Sequence, residues 1–197
     1  MNSFKKILIG ALALVALVVG IGLLSSSSEV SATADLPMIH YTAAFDQDPD
    51  EYFVYFWNAA CSFCQEFDPD VMEAHRAGAP IFVVDMANED NQSAWYDWEG
   101  HHERFTTIVG DVVNGEIIFH DGLSEDQFPT EEGWAIHIAG TQAVAELQRA
   151  QNNTSPSHSS EIEIAGTPTL LRIVNGEFVG YGFNIAEGQA LFATYGQ

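Results

Sequence analysis

Cys61 and Cys64 are the only two thiols in this chain of 197 residues, and two residues separate them. A disulfide between them would close a small ring that constrains the unfolded chain very little, which disfavours a purely structural role. A structural zinc site would need about four ligands, and the sequence has no second cysteine pair. The spacing therefore favours reversible thiol–disulfide chemistry, with a structural disulfide and half of a metal site as the alternatives.

The segments around the cysteines predict a strand, a turn, a helix and a second strand. The run "EYFVYFW" before Cys61 is typical of a strand buried on both faces. Apolar residues then recur at helical spacing, at Phe63, Phe67 and Val71, and the helix is expected to end before Gly78. The following "APIFVVDM" predicts another buried strand, which completes a βαβ unit.

These elements assign different roles to the two thiols. Cys61 would lie at the helix N-terminus, where unpaired N–H groups stabilise a thiolate and lower the thiol pKa. We therefore expect Cys61 to be the attacking nucleophile. Cys64 lies one turn later on the same helix and is expected to resolve the mixed disulfide.

Two blocks of the sequence resemble the thioredoxin superfamily. "FWNAACSFCQEFDP" is similar to the family pattern Phe-Trp-x-x-x-Cys-x-x-Cys-x-x-x-x-Pro, and "GTPTLLRIVNGE" is similar to the strand pair that follows the family's cis-proline. The resemblance implies an α/β thioredoxin fold, with a central mixed sheet flanked by helices. It also implies that Trp57, Thr167 and Pro168 support the site and bind substrate, with Pro168 preceded by a cis peptide. Chemistry of this kind needs no metal or organic cofactor beyond the redox-active Cys61–Cys64 disulfide.

The sequence departs from the family in two respects. Tyr55 and Val83 occupy the positions where cytoplasmic thioredoxins have a buried aspartate and lysine, so the usual proton acceptor for the resolving cysteine is missing. Glu66, Asp68 and Asp85 are the replacement candidates, and Asp85 is also explained as a turn residue at the end of a strand.

The second departure is an insertion at about residues 88–160, before the cis-proline strand, because 83 positions separate Asp85 from Pro168. With its predicted inserted hairpin, the chain resembles the small membrane-anchored thioredoxin-like proteins of Gram-positive bacteria. Some of those proteins are bacteriocin-transport accessory proteins.

The remaining elements are predicted from local signals. Asn-Gly pairs at 114–115 and 175–176 predict two hairpins. The segment "GTQAVAELQRAQ" predicts a helix capped by Thr141, "MIHYTAAF" a short edge strand, and Asn184 the cap of a final helix reaching about Tyr195. The aromatic residues of "AWYDWEGHHERF" are expected to pack the insertion onto the main domain, with solvated histidines; a metal site there is the alternative.

The N-terminus predicts a membrane segment. Lys5 and Lys6 precede an uncharged apolar run from Ile7 to Leu24, so residues 1–24 are interpreted as a signal anchor, 25–36 as a Ser-rich tether and 37–197 as the thioredoxin-like domain. Cleavage within residues 30–34 and secretion is the alternative. Beyond residue 25 the chain has 28 acidic residues and four arginines, a net charge of −24, which argues against nucleic acid as a partner.

The sequence thus predicts an extracytoplasmic thiol–disulfide oxidoreductase held at the cell membrane. Its expected partners are protein thiols and disulfides outside the cytoplasm and a membrane electron donor or acceptor. A thioredoxin-fold binding module with a stable disulfide is the second hypothesis. The direction of electron flow depends on a potential difference that the sequence does not encode.

Overall fold

The computed structural model of the protein describes residues 32–197. These residues form a mixed α/β structure with two four-stranded sheets. The predicted anchor, residues 1–24, lies outside the described residues. Between residues 32 and 197, no helix is both long enough and apolar enough to cross a membrane.

The strands and helices follow one another in a simple order along the chain. The strands are β1 (Glu51–Trp57), β2 (Ile81–Asp85), β3 (Thr106–Val113), β4 (Glu116–Phe119), β5 (Trp134–Ala139), β6 (Gln142–Leu147), β7 (Thr169–Val174) and β8 (Glu177–Phe183). The α-helices are α1 (Ser62–Arg76), α2 (Trp98–Phe105) and α3 (Ile185–Phe192).

The first sheet has the strand order β2-β1-β7-β8. Strand β1 pairs in parallel with β2, with Phe53 opposite Ile81, and α1 makes the crossover between them. Strand β7 runs antiparallel to β1, and β8 runs antiparallel to β7. The predicted βαβ unit and the predicted C-terminal hairpin are both confirmed.

The side chains of β1 explain why its sequence is apolar throughout. Phe53, Tyr55 and Trp57 belong to a cluster that also contains Cys64 and side chains of α1 and α3. The alternate residues Tyr52, Val54 and Phe56 belong to a second cluster, covered by loop segments. Because successive side chains of a strand point to opposite faces, a strand covered on both sides needs apolar residues at every position.

The second sheet has the order β4-β3-β6-β5 and lies within the segment 88–160 predicted as an insertion. Its strands are antiparallel throughout. Its fully buried cluster consists of Val109, Ala143 and Ala145, while Ile118 and Ile138 are exposed. This sheet therefore buries one face, as antiparallel sheets commonly do.

The helix predicted at "GTQAVAELQRAQ" is wrong, because Gln142–Leu147 form strand β6. Ala143, Ala145 and Leu147 are buried while their neighbours are more exposed, which is the period of two of a strand. Alanine, glutamate and glutamine favour helices locally, but pairing with β3 and β5 outweighs that preference here.

The predicted edge strand "MIHYTAAF" is also wrong. Only Met38 forms a bridge, in parallel with Val83, and Tyr41–Ala43 form a 3-10 turn. Just before it, Thr33 and Leu36 are buried, and Leu36 belongs to the cluster that contains Cys64, although both residues lie in the predicted tether. Ordered packing therefore begins before the predicted boundary at Pro37.

The two Asn-Gly turns adopt the conformation that their sequence predicts. Asn114 and Gly115 have φ values of 55° and 85°, and Asn175 and Gly176 have values of 53° and 78°. Both central residues of each turn thus have positive φ, as a tight hairpin of this type requires. Asn184 caps α3 as predicted, although this helix ends at Phe192 rather than near Tyr195.

The second sheet is reached through two chain segments that lie side by side. Trp95 and Ile164 form a parallel bridge. The Ile164 N–H donates to the Ala94 carbonyl at 2.8 Å, and the Tyr96 N–H donates to the Ile164 carbonyl at 3.1 Å. The segment that leaves the first sheet is therefore hydrogen-bonded to the segment that returns to it.

Candidate dithiol site

Cys61 caps the N-terminus of α1 as the sequence predicts. Its backbone is extended, and its sulfur accepts a hydrogen bond from the Cys64 N–H at 3.3 Å. The Cys61 side chain is partly exposed, whereas Cys64 is buried. The two side chains approach to 3.0 Å without forming a disulfide bond. One thiol can thus meet a substrate while the other remains within reach of the first.

Thr167 lies directly against Cys61. The Thr167–Pro168 peptide is cis, as expected from the sequence. The Cys61 thiol can donate to the Thr167 carbonyl oxygen, with 3.2 Å between sulfur and oxygen. Residues 106 positions apart in the chain therefore meet at the edge where β7 begins.

The environments of the two thiols push their pKa values apart. Partial burial by itself would raise the pKa of Cys61, but hydrogen bonds from the Thr167 and Cys64 side chains and from the N–H groups of Cys64 and Phe63 outweigh it, so the pKa is lowered. Burial, followed by the interaction with Cys61, raises the pKa of Cys64 to about 11. Cys61 is therefore the thiol that ionises first.

A buried polar group lies beneath the thiols. The Tyr55 hydroxyl is completely buried and has no hydrogen-bond partner among residues 32–197. Burial raises the pKa of Tyr55 strongly, and the neighbouring Cys64 and Asp68 raise it further. Tyr55 consequently keeps its proton and remains a hydrogen-bond donor next to Cys64.

Among the three predicted proton acceptors, Asp68 is the one near the dithiol. It is buried, lies one turn after Cys64 on α1, and accepts a hydrogen bond from the Thr33 hydroxyl at 2.7 Å. Glu66 is exposed. Asp85 accepts a hydrogen bond from the Ala87 N–H at 2.9 Å, which matches its alternative interpretation as a turn residue.

The spacing of Cys64 and Asp68 could have indicated their shared helix face, because residues four apart are neighbours on a helix. No comparable sequence signal points to the Tyr55 hydroxyl or to Thr33. In the sequence Tyr55 is distinctive only as a replacement for the family's aspartate, and Thr33 lies in a Ser-rich segment.

Trp57 lies in the core beneath the site. Its side chain is 4% exposed and belongs to the same buried cluster as Cys64. Such a side chain can support the thiols from below but offers no surface to a substrate. Phe63, between the cysteines, is 63% exposed, and it gives the site an apolar surface next to the thiols.

The histidines of the aromatic segment have different environments. His101 is buried, with one ring nitrogen 2.8 Å from the Tyr96 hydroxyl and the other 2.6 Å from the Leu147 carbonyl oxygen. The prediction of solvated histidines is therefore wrong for His101, whereas His102 is exposed and lies 2.7 Å from Glu146. Residues 32–197 contain no group of three or more His, Cys, Asp or Glu side chains that could hold a metal ion.

No family model, no curated protein and no solved structure matches the chain. A functional assignment therefore depends on the dithiol geometry and on the motifs that surround it.

Proposed function

We propose that the protein is an extracytoplasmic thiol–disulfide oxidoreductase that exchanges disulfides with protein substrates. One observation carries this proposal. A partly exposed thiol caps a helix and contacts the Thr167 carbonyl, while a second thiol lies buried one turn below it. That arrangement separates a nucleophile from a resolving group, as two-step exchange requires.

We also propose that the first sheet and its helices form a thioredoxin-like fold. The βαβ unit, the antiparallel hairpin after Pro168 and the C-terminal α3 are the parts that the sequence resemblance implies. The contact between Cys61 and Thr167 agrees with the expected meeting of the two sequence blocks. The second sheet takes the place of the long insertion.

In the reductive direction the first step is attack by the Cys61 thiolate on a substrate disulfide. One Cys61–substrate bond forms, the substrate disulfide breaks, and one substrate sulfur leaves as a thiolate. Hydrogen bonds from backbone N–H groups at the start of α1 stabilise the attacking thiolate. Thr167 is half-buried beside Cys61, and we expect an extended substrate backbone to approach there.

In the second step Cys64 loses its proton and attacks the Cys61 sulfur. The second substrate sulfur leaves, so the substrate gains two electrons and two protons and the protein is left with a Cys61–Cys64 disulfide. The Tyr55 hydroxyl can donate to the developing Cys64 thiolate, since it is protonated and lacks another partner among the described residues. The buried Asp68 carboxylate is the candidate acceptor of the Cys64 proton. Oxidation of a substrate is the same sequence reversed.

Location outside the cytoplasm is part of the proposal. It is supported by the charge pattern of Lys5, Lys6 and the apolar run that follows, and by the acidic remainder of the chain. Anchoring through residues 1–24 would place a membrane electron donor or acceptor within reach.

The first experiment measures the reduction potential of the dithiol. The full-length protein, purified in a neutral detergent, is equilibrated in glutathione and dithiothreitol buffers, and the fraction of oxidised protein is read by alkylation and mass. A strongly reducing potential identifies a reductase, and a potential well above that of the glutathione pool identifies an oxidase or isomerase. A dithiol that neither reduces nor reoxidises overturns the proposal and favours the binding-module hypothesis.

A trapping variant tests the assignment of roles. Cys64→Ser should accumulate a mixed disulfide between Cys61 and a disulfide-containing protein such as insulin, because the resolving thiol is gone. Cys61→Ser should accumulate none, since Cys64 is buried. Ser62→Ala, which leaves both thiols in place, is the matched control and should turn over normally.

A further inference from the structure

A groove of about 1020 Å³ lies where the second sheet meets the edge strand β8 of the first sheet. Segments far apart in the sequence contribute to it. Its lining includes Trp98 of α2, Glu131 and Glu132 in the turn before β5, Trp134 at the start of β5, Arg149, Tyr181 and Phe183 of β8, and Glu187 of α3.

Hydrogen bonds connect the two sides of the groove. The Trp98 indole N–H donates to the Ala165 carbonyl at 2.9 Å. The Asn152 amide, which also lines the groove, donates to the Tyr181 hydroxyl at 3.1 Å and to the Glu163 carbonyl at 2.9 Å. These bonds hold Trp98 and Tyr181 in place, so this part of the groove is formed before any ligand arrives.

One end of the groove lies beside the dithiol. Ala165, in its lining, is two residues before Thr167, which contacts Cys61. Phe183, also in the lining, pairs with Thr169 across β7 and β8. The Phe183 ring packs directly against Gly166, because a Cβ atom added to Gly166 would lie 3.2 Å from the ring. The lining of the groove therefore reaches to within two residues of the Thr167 carbonyl that contacts Cys61.

The charge and aromatic content of the groove indicate what it binds. Glu131 and Glu132 are exposed, and their carboxylates make no hydrogen bond or ion pair with residues 32–197. With Glu187 they outnumber the single Arg149 of the lining by three to one. Aromatic faces add attraction for ammonium and guanidinium groups and for aromatic side chains.

We propose that this groove binds a lysine- or arginine-rich segment next to the reacting cysteine of the substrate. The inference rests on the proposed function and deepens it, because it makes basic polypeptides the preferred substrates. Carboxylates and aromatic rings together select an extended segment in which cationic and aromatic side chains are interspersed.

Binding is tested without any redox step. The full-length Cys61→Ser/Cys64→Ser protein in neutral detergent is titrated calorimetrically with the acetylated and amidated nonapeptide (Lys-Phe-Ser)3, and with the same peptide carrying glutamate for lysine. The basic peptide should bind and the acidic one should not. Glu131→Gln/Glu132→Gln should weaken binding by about fivefold to tenfold at low salt.

The matched control removes the same charge elsewhere. Glu116→Gln/Glu177→Gln changes two exposed carboxylates that follow the two Asn-Gly turns, outside the groove. This variant should bind the basic peptide normally. Equal weakening in both double variants would show attraction by net charge alone and overturn the proposal, as would equal binding of the acidic peptide.

Two substitutions of apolar residues test how much the aromatic side chains contribute to peptide binding. Phe183→Ala should weaken peptide binding, whereas Val179→Ala, at an exposed position on the same strand outside the groove, should not. Phe183 is 42% exposed, so its truncation leaves the core intact. Unchanged binding in Phe183→Ala would remove the aromatic part of the proposal.

The last experiment tests whether binding in the groove favours thiol–disulfide exchange with a basic peptide. The reduced wild-type protein is given Lys-Phe-Cys-Phe-Lys, or its glutamate counterpart, as a mixed disulfide with 2-mercaptoethanol. A higher kcat/KM for the basic peptide, lost in Glu131→Gln/Glu132→Gln, supports the inference. If the peptide binds but no exchange occurs, the proposed function fails while the groove stands; if exchange occurs without preference, the groove assignment fails alone.

Discussion

The two sheets of this protein bury their strands to different extents. Strand β1 of the first sheet is almost wholly buried and supports a cluster on each face. The second sheet has one small buried cluster and several exposed apolar side chains. The dithiol lies on the first sheet, and the second sheet contributes one wall of the groove. We infer that the doubly covered sheet provides a rigid base for the chemistry, while the thinner sheet adapts the surface beside it.

Truncating one residue of the buried cluster against each sheet gives the largest expected difference. Phe67→Ala should lower the free energy of unfolding by about 3–5 kcal/mol, because Phe67 is fully buried and its ring packs against Tyr55 and Phe192. Val109→Ala should cost about 2 kcal/mol, because fewer atoms are lost from a smaller cluster. Urea unfolding measures both values.

Equal destabilisation by Val109→Ala and Phe67→Ala would contradict the inferred difference between the two sheets. Two transitions in urea, with Val109→Ala shifting only the earlier one, would support it. In that case the second sheet unfolds while the dithiol scaffold remains folded.

A smaller effect is expected from removing the hydroxyl beneath the thiols. Tyr55→Phe should slow the resolving step by about tenfold, since a donor to the Cys64 thiolate is lost. It should not lower stability, because that hydroxyl lacks a hydrogen-bond partner within residues 32–197. Rapid quenching of the mixed disulfide gives the rate, and urea unfolding gives the stability.

Tyr52→Phe is the matched control on the opposite face of the same strand. The Tyr52 hydroxyl donates to the Ala44 carbonyl at 3.1 Å, so this variant should lose about 1 kcal/mol of stability while leaving the resolving rate unchanged. A purely structural role for Tyr55 would reverse this pattern, with stability lost and the rate intact.

The smallest expected effect is a dependence of stability on pH in the reduced protein. The folded state keeps the Cys64 proton up to about pH 11, whereas the unfolded chain loses it near pH 8.5. The unfolded state therefore binds fewer protons above pH 8.5, and stability falls as pH rises, by no more than about 1.4 kcal/mol per pH unit. The lowered pKa of Cys61 acts the other way below pH 8.5, where stability rises with pH.

Urea unfolding between about pH 8.5 and 9.5 measures this dependence, below the range where tyrosines ionise. Cys64→Ser and the oxidised protein should both lack the decline. If the decline persists in Cys64→Ser, groups other than this thiol produce it.

Much of the first sheet could be predicted from the sequence because its signals are local. The apolar run of β1, the helical spacing after Cys61 and the Asn-Gly turns each specify one element without reference to distant residues. The positions of Cys61 and Thr167 followed from two sequence blocks whose resemblance implied their contact. These parts have strong patterns because they are buried on both sides or require positive φ.

The second sheet and the groove could not be predicted in the same way. Strand β6 has residues that favour a helix, and its alternating burial exists only because β3 and β5 lie on either side. The groove joins Trp98, Trp134 and Phe183, which no spacing in the sequence brings together. Likewise, the Tyr55 hydroxyl gains its significance from burial beside Cys64, which depends on how α1 packs on the sheet.

The hydrogen bonds that join Ala94 and Tyr96 to Ile164 have an evolutionary consequence. Since the chain leaves and re-enters the first sheet at adjacent points, a change in the length of the intervening segment need not move the strands of that sheet. Its length and surface could diverge between descendants of a common ancestor while the strands carrying the thiols kept their register. The surface beside the dithiol could then change by exchange of this segment, while the two thiols and the strands beneath them stayed the same.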